Sequence, residues 1–318
     1  MEQRPTTPGD EMAARAAWLY YAGGHTQSAI AKQFGIPTTK AHRLIAKASR
    51  EGLVRVFVDA RVESCLRLEQ VLAERFGLRF CQVAPDIGEG TAFPLRTLGM
   101  AGAAYLKSIV EGGAHGLIGI GHGRTLAASV DLMPETPAVG VQFVSLLGGL
   151  TRKYAANPFD VIHRLADKAQ ADAFMMPAPL FANTVADKNV ILAQHGMAQI
   201  MALIEQASLY LIGIGAIDAD GALGAAAVIE EPQDLEQLRR LGARAEILGQ
   251  FVDADGKIVS TRFDGRAMAP ALHSLAGKEV IAIAGGETKT EAIRAALRSG
   301  IITGMITEEA TARRLAAI

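Results

Sequence analysis

Three stretches of this 318-residue chain set glycines beside cations in a way that suits capture of an anion. In Ile118-Gly-Ile-Gly-His-Gly-Arg-Thr-Leu-Ala-Ala128 an apolar, strand-like run passes through a glycine turn into a helix-like segment. Gly121 and Gly123 let the backbone come close to a ligand, while Arg124, Thr125 and the N–H groups of a helix start supply charge, hydroxyl and donors. That is the chemistry of a phosphate or sugar-phosphate cradle. The segment lacks the GxxxxGK(S/T) pattern of a P-loop, and an isolated GxGxxx is weak evidence for a dinucleotide. Glycines that serve only a tight turn are the alternative. The second stretch, Leu146–Tyr154, places Gly148 and Gly149 ahead of Arg152 and Lys153, and Asn157-Pro158 starts a further helix. In the third, Ile283-Ala-Gly-Gly-Glu-Thr-Lys-Thr-Glu-Ala-Ile293, Gly285 and Gly286 open a helix with Lys289 in its first turn. A cation there opposes the helix dipole unless an anion is near, so Lys289 points to a ligand. Proton transfer is less well served. Asp253, Asp255 and His122 are candidates, but their spacing assigns none of them, and no catalytic residue is expected.

A different chemistry lies between Thr26 and Ser49. Thr26 can cap a helix whose apolar face is Ile30, Ala31 and Phe34; Gly35 suits the left-handed helix end, and Ile36 plugs the corner. Pro37 cannot extend that helix, Thr38 or Thr39 can cap the next, and Leu44, Ile45 and Ala48 give the second helix its own buried face. This is the grammar of a helix-turn-helix. Thr38, Thr39, Lys40, His42, Arg43 and Lys47 then project from the start and outer side of the second helix, with no acid before Glu51. Such a face fits the major groove of double-stranded DNA, base contacts coming from its first turns and phosphate contacts from Arg43 and Lys47. An ordinary helical hairpin with a solvated basic face is the plainer reading.

The totals restrict the classes. Half the residues are hydrophobic, enough for a large core, and the formal net charge is −1, so nucleic-acid affinity must be local; between Lys32 and Arg61 the only acids are Glu51 and Asp59. Cys65 and Cys81 have no CxxC spacing, which fits a reducing cytoplasm, and no metal or cofactor is expected. No apolar run approaches the ~20 residues of a membrane span, and no apolar signal region opens the chain, so a cytoplasmic protein is expected.

Taken in order, residues 1–10 read as a flexible tail and residues 11–60 as a helix-turn-helix domain. Its first helix starts at Glu11, with Met12, Ala16, Leu19 and Tyr20 aligned and Trp18 beside them in the core; a short strand, Leu53–Val58, closes the domain. Residues 61–77 read as an amphipathic linker helix that could pair with its copy in a homodimer or homotetramer. Residues 78–318 alternate strands with helices, the mark of an α/β domain with a mostly parallel, Rossmann-like sheet. Strands are expected at 117–120, 142–147, 173–176, 210–214, 280–284 and 301–306, and helices at 95–110, 125–131, 159–169, 189–207, 232–241 and 288–299. Ligands in such sheets bind beyond the strands' carboxyl ends, which is where the three glycine stretches fall.

Together these pieces resemble the SorC family of sugar-responsive transcriptional regulators. The resemblance is carried by Trp18-Leu-Tyr-Tyr with His25-Thr-Gln-Ser-Ala-Ile-Ala31, Gly119-Ile-Gly-His-Gly-Arg-Thr-Leu126, Leu147-Gly-Gly149, Asn157-Pro158, Met176-Pro-Ala-Pro179, Ile212-Gly-Ile-Gly215, Phe251-Val-Asp-Ala-Asp-Gly256 and Ala284-Gly-Gly-Glu-Thr-Lys289. It implies a helix-turn-helix joined to an effector domain related to sugar-phosphate isomerases and deaminases. It also implies an effector site at Gly123, Thr125, Gly148, Gly149, Glu246 and Lys289. The chain departs from the family at Ala245-Glu-Ile247, Thr307-Glu-Glu309 and His122. Gly121-His-Gly-Arg-Thr125 is similar to members that control polyol catabolism, such as that of erythritol. The expected function is operator binding controlled by a sugar, polyol or phosphate ester; the rival is an isomerase- or deaminase-like enzyme with an added helical domain.

Overall fold

The computed structural model describes residues 8–51, 53–54, 62–89, 93–149, 161–218 and 232–317. Most of the strand expected at Leu53–Val58, and Arg152, Lys153 and Asn157-Pro158, lie outside the described residues. The chain packs as two compact units that part between Asp59 and Ala60.

In the smaller unit, α1 (Pro8–Ala17) runs into a π-helical turn over Trp18–Ala22, and α2 (Gln27–Phe34) and α3 (Thr38–Arg50) follow. Thr26 caps α2, its hydroxyl accepting the Ala29 N–H at 3.2 Å, and Gly35 ends it at φ 63°, the left-handed region that favours glycine. Ala16, Ile30, Ala31, Ala41 and Ile45 form the core, with Phe34, Ile36 and Leu44 against it. Two expectations fail here. Pro37, not a threonine, holds the N-cap position of α3, with no side-chain bond, so Thr38 and Thr39 begin the helix itself. Trp18 is 73% exposed: α1 packs through Ala13, Ala16 and Ala17, and the π-helical turn leaves Trp18, Tyr20 and Tyr21 at the surface.

The larger unit is built on a seven-stranded sheet in the order β1-β10-β9-β5-β2-β3-β4, every pairing parallel. Its strands are β1 (Phe80–Ala84), β2 (Leu117–Ile120), β3 (Gln142–Ser145), β4 (Ala173–Phe174), β5 (Leu209–Ile212), β9 (Glu279–Ile283) and β10 (Gly304–Glu308). Because helices cover both faces, the strands are apolar at successive positions. In β5, Leu209 and Leu211 join one core while Tyr210 and Ile212 join the other; Ile281 and Ile283 part from Val280 and Ala282 in the same way. A small antiparallel sheet, β6 (Gly215–Ala216), β7 (Ala245–Ile247) and β8 (Gln250–Val252), had no counterpart in the sequence reading.

Helix α4 (Glu63–Phe76), expected as a linker, packs on β1 and on the last helix, Glu309–Ala317, within this unit. Cys65 and Leu72 are buried, and Arg75 donates to the Leu315 carbonyl at 2.8 Å. The single helix expected over 189–207 is two, Val185–Leu192 and Met197–Gln206, broken where Gly196 takes φ 87°. The last strand lies at 304–308, three residues beyond its expected start; just ahead of it the Thr303 hydroxyl accepts the Val280 N–H at 2.9 Å. Among the described residues no helix is long and apolar enough to cross a membrane.

Candidate functional site

After β2 the chain turns toward β3 and β4, whereas after β5 it proceeds to β9 and β10 on the other side. The adjacent exits of β2 and β5 are therefore a topological switch point, where an open α/β sheet leaves a crevice beyond its carboxyl ends. A cleft of about 550 Å3, open solvent at its mouth included, occupies this place. His122, Gly123, Arg124 and Thr125 line it from the β2 exit, Gly213, Ile214 and Gly215 from the β5 exit, and Leu147 from the β3 exit. Lys289 enters from the β9 exit, Glu246 and Leu248 from the small antiparallel sheet, and Leu180 completes the wall.

Of the expected site residues, Gly123, Arg124, Thr125, Glu246 and Lys289 converge on this cleft. Gly123 takes φ 137°, open to glycine, and launches α6 (Arg124–Leu132), whose first ladder bond runs from Ala127 N–H to the Gly123 carbonyl at 2.9 Å. The N–H groups ahead of it have no partner within the helix, so the helix start can bind an anion. The Thr125 hydroxyl donates to the Ile283 carbonyl at 2.8 Å, leaving its oxygen as an acceptor.

The other glycines do not line the cleft, and their neighbours show why. Gly121 N–H bonds the Leu211 carbonyl at 2.8 Å, Gly148 N–H that of Met268 at 2.9 Å, and Gly149 N–H that of Ala178 at 2.7 Å. A Cβ on Gly148 would stand 2.4 Å from the Pro179 carbonyl oxygen, so this glycine permits a close crossing of two loops. Gly286 N–H bonds Thr311 Oγ1 at 2.9 Å and Glu308 Oε1 at 3.3 Å, and Gly285 lies against the same buried carboxylate. These amides brace the loops; the ligand donors expected of the second and third stretches are already engaged. Gly213-Ile-Gly215 does reach the cleft.

Lys289 ends a 3-10 turn (Glu287–Lys289) and donates from Nζ to the Ile214 carbonyl at 3.0 Å. Burial, and then the charge of Arg124, pull its pKa down to about 8, against the opposing pull of Asp218 and Glu246. Arg124 has no carboxylate partner among the described residues; its guanidinium lies over the Phe93 ring. Burial raises the Glu246 carboxyl, partly offset by the Gly249 N–H bond at 2.5 Å and by Lys289. Asp218, missed by the sequence reading, has a buried Oδ1 without a hydrogen-bond partner among the described residues. The cleft thus combines two cations and a helix start with the Glu246 carboxylate and an apolar wall.

A pH dependence follows. Between pH of about 8 and the ordinary lysine value of 10.5, the unfolded chain holds the Lys289 proton and the folded one has lost it. Stability of the ligand-free protein is therefore expected to rise with pH across that window. Affinity for an anion is expected to do the opposite, falling as pH rises through about 8 and Lys289 loses its charge. Calorimetric titrations from about pH 7 to about pH 9, roughly one unit either side of the transition, check the sign.

In the smaller unit Thr38, Thr39, Lys40, His42 and Arg43 are all exposed on α3. Lys47 stands apart from them: it is half-buried and paired with Asp10 at 2.8 Å and Glu51 at 3.8 Å, so its charge is compensated within its own unit. Arg50, which the sequence reading left out, is exposed and falls in helical register with Thr39, Arg43 and Ala46, opposite the buried Ala41, Ile45 and Ala48.

Residues 60–317 match the family model described as "Putative sugar-binding domain". The chain is 47% identical over 306 residues to the erythritol catabolism regulatory protein EryD of Brucella abortus, covering 96% of each chain. The chain belongs to the SorC family of sugar-binding transcriptional regulators. It is also 33% identical to the transcriptional regulator LsrR of Klebsiella pneumoniae subsp. pneumoniae, over 97% of this chain and 94% of that one. Among solved structures, the full-length sorbitol operon regulator SorC from Klebsiella pneumoniae superposes with a TM-score of 0.71 at 25% identity, covering 98% of this chain and all of that one. These three proteins are named as regulators, and none lends support to the enzyme alternative.

Proposed function

We propose that this SorC-family regulator binds operator DNA through α3 of its smaller unit, and that a phosphorylated sugar or polyol in the cleft of its larger unit sets operator affinity. The observation that carries the effector class is the pair Arg124 and Lys289 beside the start of α6, with Arg124 lacking a carboxylate partner among the described residues. Half-buried cations such as these are better satisfied when an anion shares their site, and a phosphate accepts hydrogen bonds from guanidinium, ammonium and helix N–H groups together. Glu246, which lines the same cleft, then suits the hydroxyls of that ligand. A neutral polyol would leave Lys289 balanced only at a distance, by Asp218 and Glu246, because its hydrogen bond goes to the neutral Ile214 carbonyl. The erythritol in the name of the Brucella abortus relative makes four-carbon polyols and their phosphates the first compounds to try.

The DNA face is Thr38, Thr39, Lys40, His42 and Arg43, with Arg50 at the far end and Lys47 contributing less than its sequence position suggested. A homodimer or homotetramer acting in the cytoplasm on paired half-sites completes the reading, since one small domain makes too few contacts for useful specificity. Anisotropy of a labelled promoter fragment from beside the gene, titrated with protein with and without erythritol and erythritol 4-phosphate, tests the proposal. The phosphate ester should shift operator affinity by about tenfold or more, a coupling of ordinary allosteric size. Binding that ignores every sugar, polyol and phosphate ester offered would contradict it.

A further inference from the structure

Arg124 and Lys289 meet one aromatic ring. The guanidinium carbon of Arg124 lies 4.5 Å from the Phe93 ring centroid, and the Lys289 ammonium 5.1 Å from the same point. Both cations line the cleft and Phe93 does not, so the ring supports them from outside the ligand space. Two like charges this close repel, while the electron-rich face of a ring attracts each of them. A guanidinium stacked on a ring also keeps the N–H groups of its in-plane edge free for an acceptor.

Phe93 is held in place by its own element. Its carbonyl accepts the Leu95 N–H at 2.8 Å, just ahead of α5 (Leu95–Gly112). Glu89 closes the start of that helix, accepting the N–H groups of Arg96 at 2.9 Å and Thr97 at 2.8 Å and the Thr97 hydroxyl at 2.5 Å. Helix α5 then lies tightly on α6: a Cβ on Gly102 would stand 2.1 Å from Ser129 Oγ, and one on Gly99 3.0 Å from the Ala128 Cβ. The ring and the helix that begins with Arg124 therefore belong to one closely packed pair of helices.

We propose that Phe93 is a positioning residue of the effector site, whose ring holds Arg124 and Lys289 together toward the cleft before a ligand arrives and so favours a phosphate ester over a neutral polyol. The inference rests on the reading of the cleft as an anion site. Nothing in the sequence singles the residue out, because Phe93 falls between the glycine stretches and has no charge or hydrogen-bonding side chain of its own.

Calorimetry on the full chain tests it, with wild type, Phe93→Leu and Phe93→Tyr titrated with erythritol 4-phosphate, inorganic phosphate and erythritol. Phe93→Leu keeps apolar bulk and removes the ring face; it should weaken phosphate-ester binding by roughly 5- to 20-fold, as loss of one or two partly buried cation–π contacts implies. It should also move the high-pH decline of that binding to lower pH, because Lys289 loses a contact that favours its charged form. Phe93→Tyr keeps the face and should stay near wild type in both respects. Erythritol binding, if measurable, should be the same in all three proteins. Wild-type affinity and pH profile in Phe93→Leu would overturn the role of Phe93 alone, as would equal losses in Phe93→Leu and Phe93→Tyr. Failure of wild type to bind any phosphate compound, while still binding operator DNA, would overturn the anion-site reading and this inference with it.

Discussion

Replacing Lys289 with alanine is expected to weaken binding of a phosphorylated polyol by about 2 to 3 kcal/mol, roughly 30- to 150-fold, and to leave operator binding without effector unchanged. The expectation follows from how the ammonium is held. Its one hydrogen bond among the described residues is to the Ile214 carbonyl, a neutral acceptor, so apart from the Phe93 ring face its charge is balanced only at a distance by Asp218 and Glu246 while Arg124 opposes it. A phosphate in the cleft would supply the missing counter-charge. Removing the ammonium then loses a charged hydrogen bond in a site that excludes much of the water, which is where such bonds are strongest. The free protein should not suffer: it sheds a cation whose burial is unfavourable. Unchanged calorimetric affinity for every ligand active on wild type would remove Lys289 from the site.

Arg43→Ala is expected to weaken operator binding by roughly 1 to 3 kcal/mol with no change in thermal stability or in effector binding. Arg43 is exposed in the row Thr39, Arg43, Ala46, Arg50, opposite the helix-packing face of α3. Lys47→Ala should behave otherwise, because its Nζ is paired with Asp10 and Glu51. The salt dependence of operator binding should therefore fall by about one unit of slope for Arg43→Ala and by less for Lys47→Ala. Equal effects of the two substitutions would show that the Asp10 contact gives way on DNA.

How far the sequence could be read depended on whether the cause was local. The Thr26 cap, the Gly35 turn and the buried faces of α2 and α3 are set within a few residues, and all were legible. Lys289 was legible too, since a cation in the first turn of a helix is an anomaly visible without coordinates. What escaped was decided across the fold. The amides of Gly148, Gly149 and Gly286 look free in sequence, but Met268, Ala178 and Thr311 take them, and each partner lies on another element. The strands of the small sheet that carries Glu246 are two or three residues long, too short for a periodicity, so only the family resemblance pointed to that carboxylate. Trp18 misled because an aromatic beside an apolar stripe ordinarily packs inward; the π-helical turn shifts the register and leaves it at the surface.

The central claim is that Arg124, Lys289 and the start of α6 form one anion site at the sheet's switch point. A crystal structure of the full chain grown with erythritol 4-phosphate, or with whichever phosphate ester shifts operator affinity, tests it most directly. The phosphate oxygens are expected within about 3 Å of the Arg124 guanidinium and the Lys289 ammonium, with the carbon chain toward Glu246. A phosphate bound elsewhere, or an effector lying in the cleft with its anionic group turned away from both cations, would contradict it.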